Sequence, residues 1–136
     1  MKILIVEDSD IKFNSINEWV SRCGDDIEVV HKNSRNGAMI EIIKANRDEN
    51  PFALVITDMQ IPLFENDFRN MLDEGGREII EEMEYRGIDI PYVVCSSAVE
   101  ENDFPNAVKV IKYDYCTSYR SIFEQIIQTL RKRGND

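Results

Sequence analysis

The chain has 136 residues, 43% hydrophobic and 31% charged, and 26 acids against 16 Lys and Arg give a net charge of −10. That size and balance suit one soluble folded domain with a real core, and they exclude a disordered or membrane-embedded chain. Neutralising nucleic-acid phosphates takes clustered cations, so the acidic balance also excludes direct DNA or RNA binding.

The apolar runs are too short to cross a bilayer, and Ile3–Val6 is too short for a signal-peptide core, so a cytoplasmic location without membrane contact is expected. Cys23, Cys95 and Cys116 are odd in number and lack metal-ligand spacing; reduced, mostly buried thiols are expected. Arg131-Lys132-Arg133 suits a helix C-terminus, where cations complement the dipole.

In chain order, Ile3–Val6 is a continuous apolar run ending in acids, the pattern of a strand buried on both faces. Ile16, Trp19, Val20 and Cys23 then fall at helical spacing, with Gly24 as a stop; Trp19 reads as core and Asp10 as a helix cap. Ile27–His31 predicts a second strand. Ser34 caps a helix whose apolar stripe is Ala38, Met39, Ile42, Ile43 and Ala45. Phe52–Thr57 is a third strand ending at Asp58, with Met59 expected to pack. Gly75-Gly76 precedes a helix carrying Ile79, Ile80 and Met83. Tyr92–Cys95 and Val108–Ile111 are strands, and a last helix starting near Thr117 or Ser118 carries Ile122, Ile126, Ile127 and Leu130. Alternating strands and helices imply a parallel sheet covered on both faces, with ligands beyond the strand C-termini.

Those termini carry Glu7-Asp8 after the first strand, Asp58 after the third, Ser96-Ser97 after the fourth and Lys112 after the fifth. If the first and third strands are neighbours, Glu7, Asp8 and Asp58 meet at one rim. Three repelling carboxylates favour a hard divalent cation, and Mg²⁺ suits phosphate chemistry. An isolated acid pair after a strand is also an ordinary helix N-terminus, and an isolated Asp an ordinary turn residue. His31 is the single histidine, which excludes a histidine-based cluster.

The blocks KILIVEDSD, LVITDMQIP, VVCSSA and VIKY, in this order after successive strands, resemble the receiver domain of response regulators in two-component signalling. The resemblance implies a flavodoxin-like, doubly wound five-stranded parallel sheet of order 2-1-3-4-5. It spans 1–133, with an insertion at 63–74 and a tail at 134–136. It implies that Asp58 accepts a phosphoryl group from a histidine kinase or phosphotransfer protein. Asp8 and Asp58 would bind Mg²⁺, with Glu7 helping through water and Gln60 offering its backbone carbonyl. Ser97 and Lys112 would hold the phosphoryl group. The domain would catalyse only its own phosphorylation and dephosphorylation, and would act on a downstream protein partner; dimerisation is left open.

Three features depart from the family's pattern. The stretch from Ile61 to Gly76 is long for an α/β connection, and Phe64, Phe68, Met71 and Leu72 have the spacing of a short amphipathic helix. Between Ser97 and Lys112 weak periodicity and Pro105 predict a loop or single turn instead of a full fourth helix. Lys109 replaces an aromatic residue and Tyr113 a proline. These departures motivate an alternative, a degenerate receiver acting as an interaction module without phosphate. A small Mg²⁺-dependent phosphohydrolase is a further alternative, but the place of its general acid, two residues after the nucleophile, is Gln60.

Overall fold

A computed structural model describes residues 1–134. The chain runs β1 (Lys2–Val6), α1 (Asp10–Ser21), β2 (Glu28–Lys32), α2 (Arg35–Arg47), β3 (Leu54–Thr57), β4 (Ile61–Pro62), β5 (Met71–Leu72), α3 (Gly75–Tyr85), β6 (Tyr92–Ser96), a 3-10 turn (Glu101–Asp103), β7 (Lys109–Lys112) and α4 (Arg120–Gly134). Five strands form one parallel sheet in the order β2-β1-β3-β6-β7, while β4 and β5 make a separate antiparallel hairpin. With the hairpin set aside, this is the expected 2-1-3-4-5 order. Of the tail at 134–136, Gly134 ends α4 and the rest lies outside the described residues.

The sheet is buried on both sides because its central strands are apolar at nearly every position. Leu4, Val6, Val55 and Val94 face α2 and α3, meeting Met39, Ile42, Ile79 and Met83. Ile3, Ile5, Leu54, Ile56 and Val93 face α1 and α4, meeting Ile16, Val20, Phe123 and Ile127. Burying each such Ile, Leu or Phe contributes roughly 1.5–3 kcal/mol relative to exposure. Trp19 packs against Phe123 and Tyr119, and Met59 is buried, so both belong to the core.

Local chemistry sets the element ends. Ser34 caps α2, its hydroxyl accepting from Gly37 N at 2.9 Å. The cap of α1 is Ser9, accepting from Lys12 N at 3.3 Å, and Asp10 is the first helical residue instead of the cap. Gly87 ends α3 with a φ of 69°, a left-handed conformation that costs glycine least. The last helix starts at Arg120, later than Thr117 or Ser118, because Asp114 accepts from Cys116 N at 2.9 Å and holds a turn there.

Two further expectations are corrected. The insertion contains no helix: Ile61–Pro62 pairs with Met71–Leu72, and Asn66 turns the chain at a φ of 61°. Asp67 accepts from Arg69 N and from Asn70 Nδ2, local bonds that compete with helix formation. Of the three thiols only Cys95 is fully buried; Cys23 is half-buried and Cys116 exposed, and all three are free. The segment before β7 holds the single 3-10 turn that Pro105 led one to expect. No helix among the described residues is long and apolar enough to cross a membrane.

Candidate functional site

The register of β1 against β3 pairs Val6 with Thr57, so Glu7 and Asp58 emerge side by side at one rim. Asp58 is held firmly: its N–H donates to Val6 O at 3.1 Å, Thr57 Oγ1 donates to its carbonyl at 2.8 Å, and Met59 N–H donates to its Oδ1 at 2.7 Å. Helix α3 begins directly against this turn. Gly76 N–H donates to Met59 O at 3.0 Å, and a Cβ on Gly76 would collide with the Asp58 carbonyl oxygen. Glycine is required there for close approach.

Glu7 is fixed as tightly. Its N–H donates to Lys32 O at 3.0 Å, and its carbonyl lies 2.8 Å from His31 Nε2, which must therefore carry the proton. The His31 ring stacks on Phe13 at 3.6 Å. Ser9 N–H donates to Glu7 Oε2 at 3.0 Å. Glu7, Asp8 and Asp58 bring carboxylate oxygens within 4.8 Å of one another. The other Glu7 oxygen, Oε1, is buried and takes no aligned hydrogen bond. Hard oxygen donors this close fit a small divalent cation.

One residue at the site was missed by sequence reasoning. Lys12, on the first turn of α1, is only 3% exposed. Its Nζ lies 2.7 Å from Glu7 Oε1 and 3.4 Å from Asp58 Oδ2, and donates to Cys95 O at 2.6 Å. The Tyr113 ring sits 5.0 Å from it. Because Glu7 Oε1 lacks an aligned hydrogen bond, its contact with the ammonium is ionic. A signal existed: Lys12, Ile16 and Val20 fall on one helical stripe, so the lysine occupies a core position.

Burial disfavours charge on both members of this pair. For Lys12 that effect would push the ammonium down, but Glu7 and Asp58 more than offset it and hold its pKa above the ordinary value. For Glu7, burial pushes the carboxyl up and Asp58 adds to the rise, while Lys12 opposes it. Burial, against Lys12, likewise raises the Cys95 thiol beneath the site to about 12.

The remaining predicted residues lie at the same end of the sheet with different partners. Lys112 closes β7, but its side chain is 63% exposed and its Nζ pairs with Glu100 Oε1 at 2.7 Å. Ser97 is exposed in the turn after β6, whereas Ser96 is buried and accepts from Ala98 N–H at 3.1 Å. Gln60 is exposed in the bend after Met59, and Asp8 is half-buried beside Glu7. The structure thus gathers Glu7, Asp8 and Asp58 with Lys12 beside them, while Lys112 pairs with Glu100.

No protein-family profile matches the chain, and no curated protein is similar enough to count as a relative. Solved structures are similar over nearly the full length. The phosphorylated cyanobacterial phytochrome response regulator RcpA superposes with a TM-score of 0.66 at 21% identity, covering 96% of this chain and 91% of its own. The chain has the receiver fold. A two-component response regulator from Legionella pneumophila gives a TM-score of 0.66 at 19% identity, covering 97% of this chain and 98% of its own. The Mn²⁺-bound form of response regulator Rcp1 gives 0.63 at 19% identity, covering 92% and 88%. The acidic rim of this chain thus sits at the strand C-termini of a receiver fold, where doubly wound sheets hold ligands.

Proposed function

We propose that this chain is a phosphoacceptor receiver whose Asp58 takes a phosphoryl group from a histidine kinase or phosphotransfer protein in the cytoplasm, and so changes binding to a protein partner. The observation that carries this reading is the meeting of Glu7, Asp8 and Asp58 at the sheet's carboxyl rim, within 4.8 Å of one another. In the step, a carboxylate oxygen of Asp58 attacks the phosphorus of a phosphohistidine. The new O–P bond forms as the P–N bond breaks, and the imidazole nitrogen keeps the electron pair.

Asp8 and Asp58 would hold Mg²⁺ directly, with Glu7 acting through water and Gln60 through its carbonyl. The metal would supply a fixed positive charge beside the transferring oxygens. This chain's own part is orientation: Met59 N–H fixes one Asp58 oxygen, and the bonds to Val6 and Thr57 fix the backbone beneath it. Two fold relatives, one phosphorylated and one Mn²⁺-bound, are consistent with such chemistry. The product stays on the protein, so the chain turns over no substrate besides its own phosphoryl group.

The second reading, a phosphate-independent interaction module, is favoured by the pairing of Lys112 with Glu100, away from Asp58. Beryllofluoride with Mg²⁺ separates the two. On the phosphoacceptor reading, amide resonances shift at Asp58 and also within 63–74 and 99–105. An unchanged spectrum supports the module and overturns the acceptor.

A further inference from the structure

We propose that Lys12 is the ammonium that serves the phosphoryl site, reaching it from helix α1 in the place that the receiver resemblance gives to Lys112. The proposal rests on the reading of Asp58 as the acceptor.

A lysine ammonium has three donors. Lys12 Nζ donates to Cys95 O at 2.6 Å and stands in ionic contact with Glu7 Oε1 at 2.7 Å and Asp58 Oδ2 at 3.4 Å. The Tyr113 ring closes the fourth side at 5.0 Å. A buried charge is tolerated only with such partners, and here one of them is the reacting carboxylate. The Lys12 side chain is already ordered at 3% exposure, so meeting the site costs no further rotamer freedom.

Lys112 is placed differently. It is 63% exposed and its partner Glu100 is 71% exposed. Reaching Asp58 would require breaking that pair and ordering a long free side chain. Tyr113, which stands where the family has proline, is buried between Lys12 and Tyr119 and packs over the Lys12 ammonium. The departure after β7 and the unexpected lysine on α1 are therefore one arrangement.

The role follows from charge. Before transfer, Lys12 partly neutralises Asp58 and Glu7, two acids that repel one another across the rim. During transfer, one Asp58 oxygen becomes the bridging oxygen of a mixed anhydride and the other a carbonyl. The carboxylate's charge is taken up by the electron pair on the leaving nitrogen, while charge is spread over the phosphoryl oxygens in the transition state. Lys12 is in contact with the atom group that changes. It stabilises the charge as it spreads, and it loses an anionic partner once the acyl phosphate has formed.

The test compares wild type, Lys12→Met and Lys112→Met for equilibrium binding of beryllofluoride with Mg²⁺, each checked for fold by circular dichroism and unfolding midpoint. Lys12→Met should weaken the adduct by about tenfold or more while remaining folded, and Lys112→Met should change it by less than about threefold. A purely structural lysine would move the midpoint without moving affinity in the folded protein. If Lys12→Met alone fails to fold, Glu7→Gln/Lys12→Met is compared with Glu7→Gln, so that no half of the buried pair is left charged. Unchanged affinity on loss of Lys12, or a tenfold loss on Lys112→Met, overturns the replacement. No adduct on wild type overturns the acceptor reading itself, and the role of Lys12 with it.

Discussion

The Ser34 hydroxyl donates to Glu65 Oε2 at 2.6 Å, tying the insertion to the first turn of α2. Glu65 Oε1 also accepts from Asn33 N–H at 2.8 Å, Asn33 Nδ2 donates to Asn66 Oδ1, and Asn66 N–H donates to Asn33 Oδ1. Asn36 N–H donates to Leu63 O at 3.1 Å. The acidic side chain stands at a helix N-terminus, where the dipole favours it. The hairpin is therefore clasped to the end of β2, although Phe64, Phe68 and Met71 remain exposed.

Ser34→Ala removes both the cap on Gly37 N–H and the bond to Glu65. A loss of about 1–2 kcal/mol is expected in urea unfolding. Faster amide exchange across 63–72 should accompany it, because the hairpin loses its clasp. An unchanged midpoint and exchange pattern would contradict the clasp.

Gly76→Ala places a methyl group against the carbonyl of Asp58, where no flexible side chain can yield. The backbone must shift, at a cost of about 1–3 kcal/mol, and the Mg²⁺-dependent adduct should weaken with it. Gly134→Ala, which meets nothing within 4 Å, should leave both stability and adduct unchanged. Equal behaviour of the two variants would show that the approach of α3 does not shape the Asp58 turn.

The fold was legible because β1, β3 and β6 are apolar at nearly every position and the helices between them carry stripes at a separate period. Strand-end residues then located Glu7, Asp8 and Asp58 without any tertiary information. Lys12 was hidden because a charged side chain reads as solvated, and its partners Cys95 and Asp58 lie far away in sequence. Lys112 was legible as a strand end, but its pairing with Glu100 depends on how the short 3-10 segment folds back. Four apolar residues of the insertion match a helical period, but the Asn66 turn and the bonds of Asp67 make it a hairpin, and neither is visible in the apolar pattern.

Asp8→Asn removes an anionic oxygen from the candidate metal site. Binding of Mn²⁺, followed by electron paramagnetic resonance, should weaken about tenfold or more, with the fold unchanged. A wild type that binds no Mn²⁺ at millimolar concentration would remove the metal from the account.

Thiol labelling offers an independent check of the core. Cys116 is exposed and should react with iodoacetamide in the native protein, whereas Cys95 is buried and should react only on unfolding. Burial raises Cys95 from 9.0 to about 12, so the folded state favours its neutral thiol. That contribution is complete below pH 9.0 and is lost as pH rises through about 12, so stability should fall across this alkaline window. Peptide mapping after native labelling decides it, and rapid modification of Cys95 would contradict the packing beneath the site.

The central claim is that Asp58 accepts phosphate. Incubation with Mg²⁺ and a small phosphodonor, quenched and read by intact-mass spectrometry, should show a single added phosphoryl group on wild type. Asp58→Asn should show none. An unmodified wild type, or an equally modified Asp58→Asn, would contradict the account.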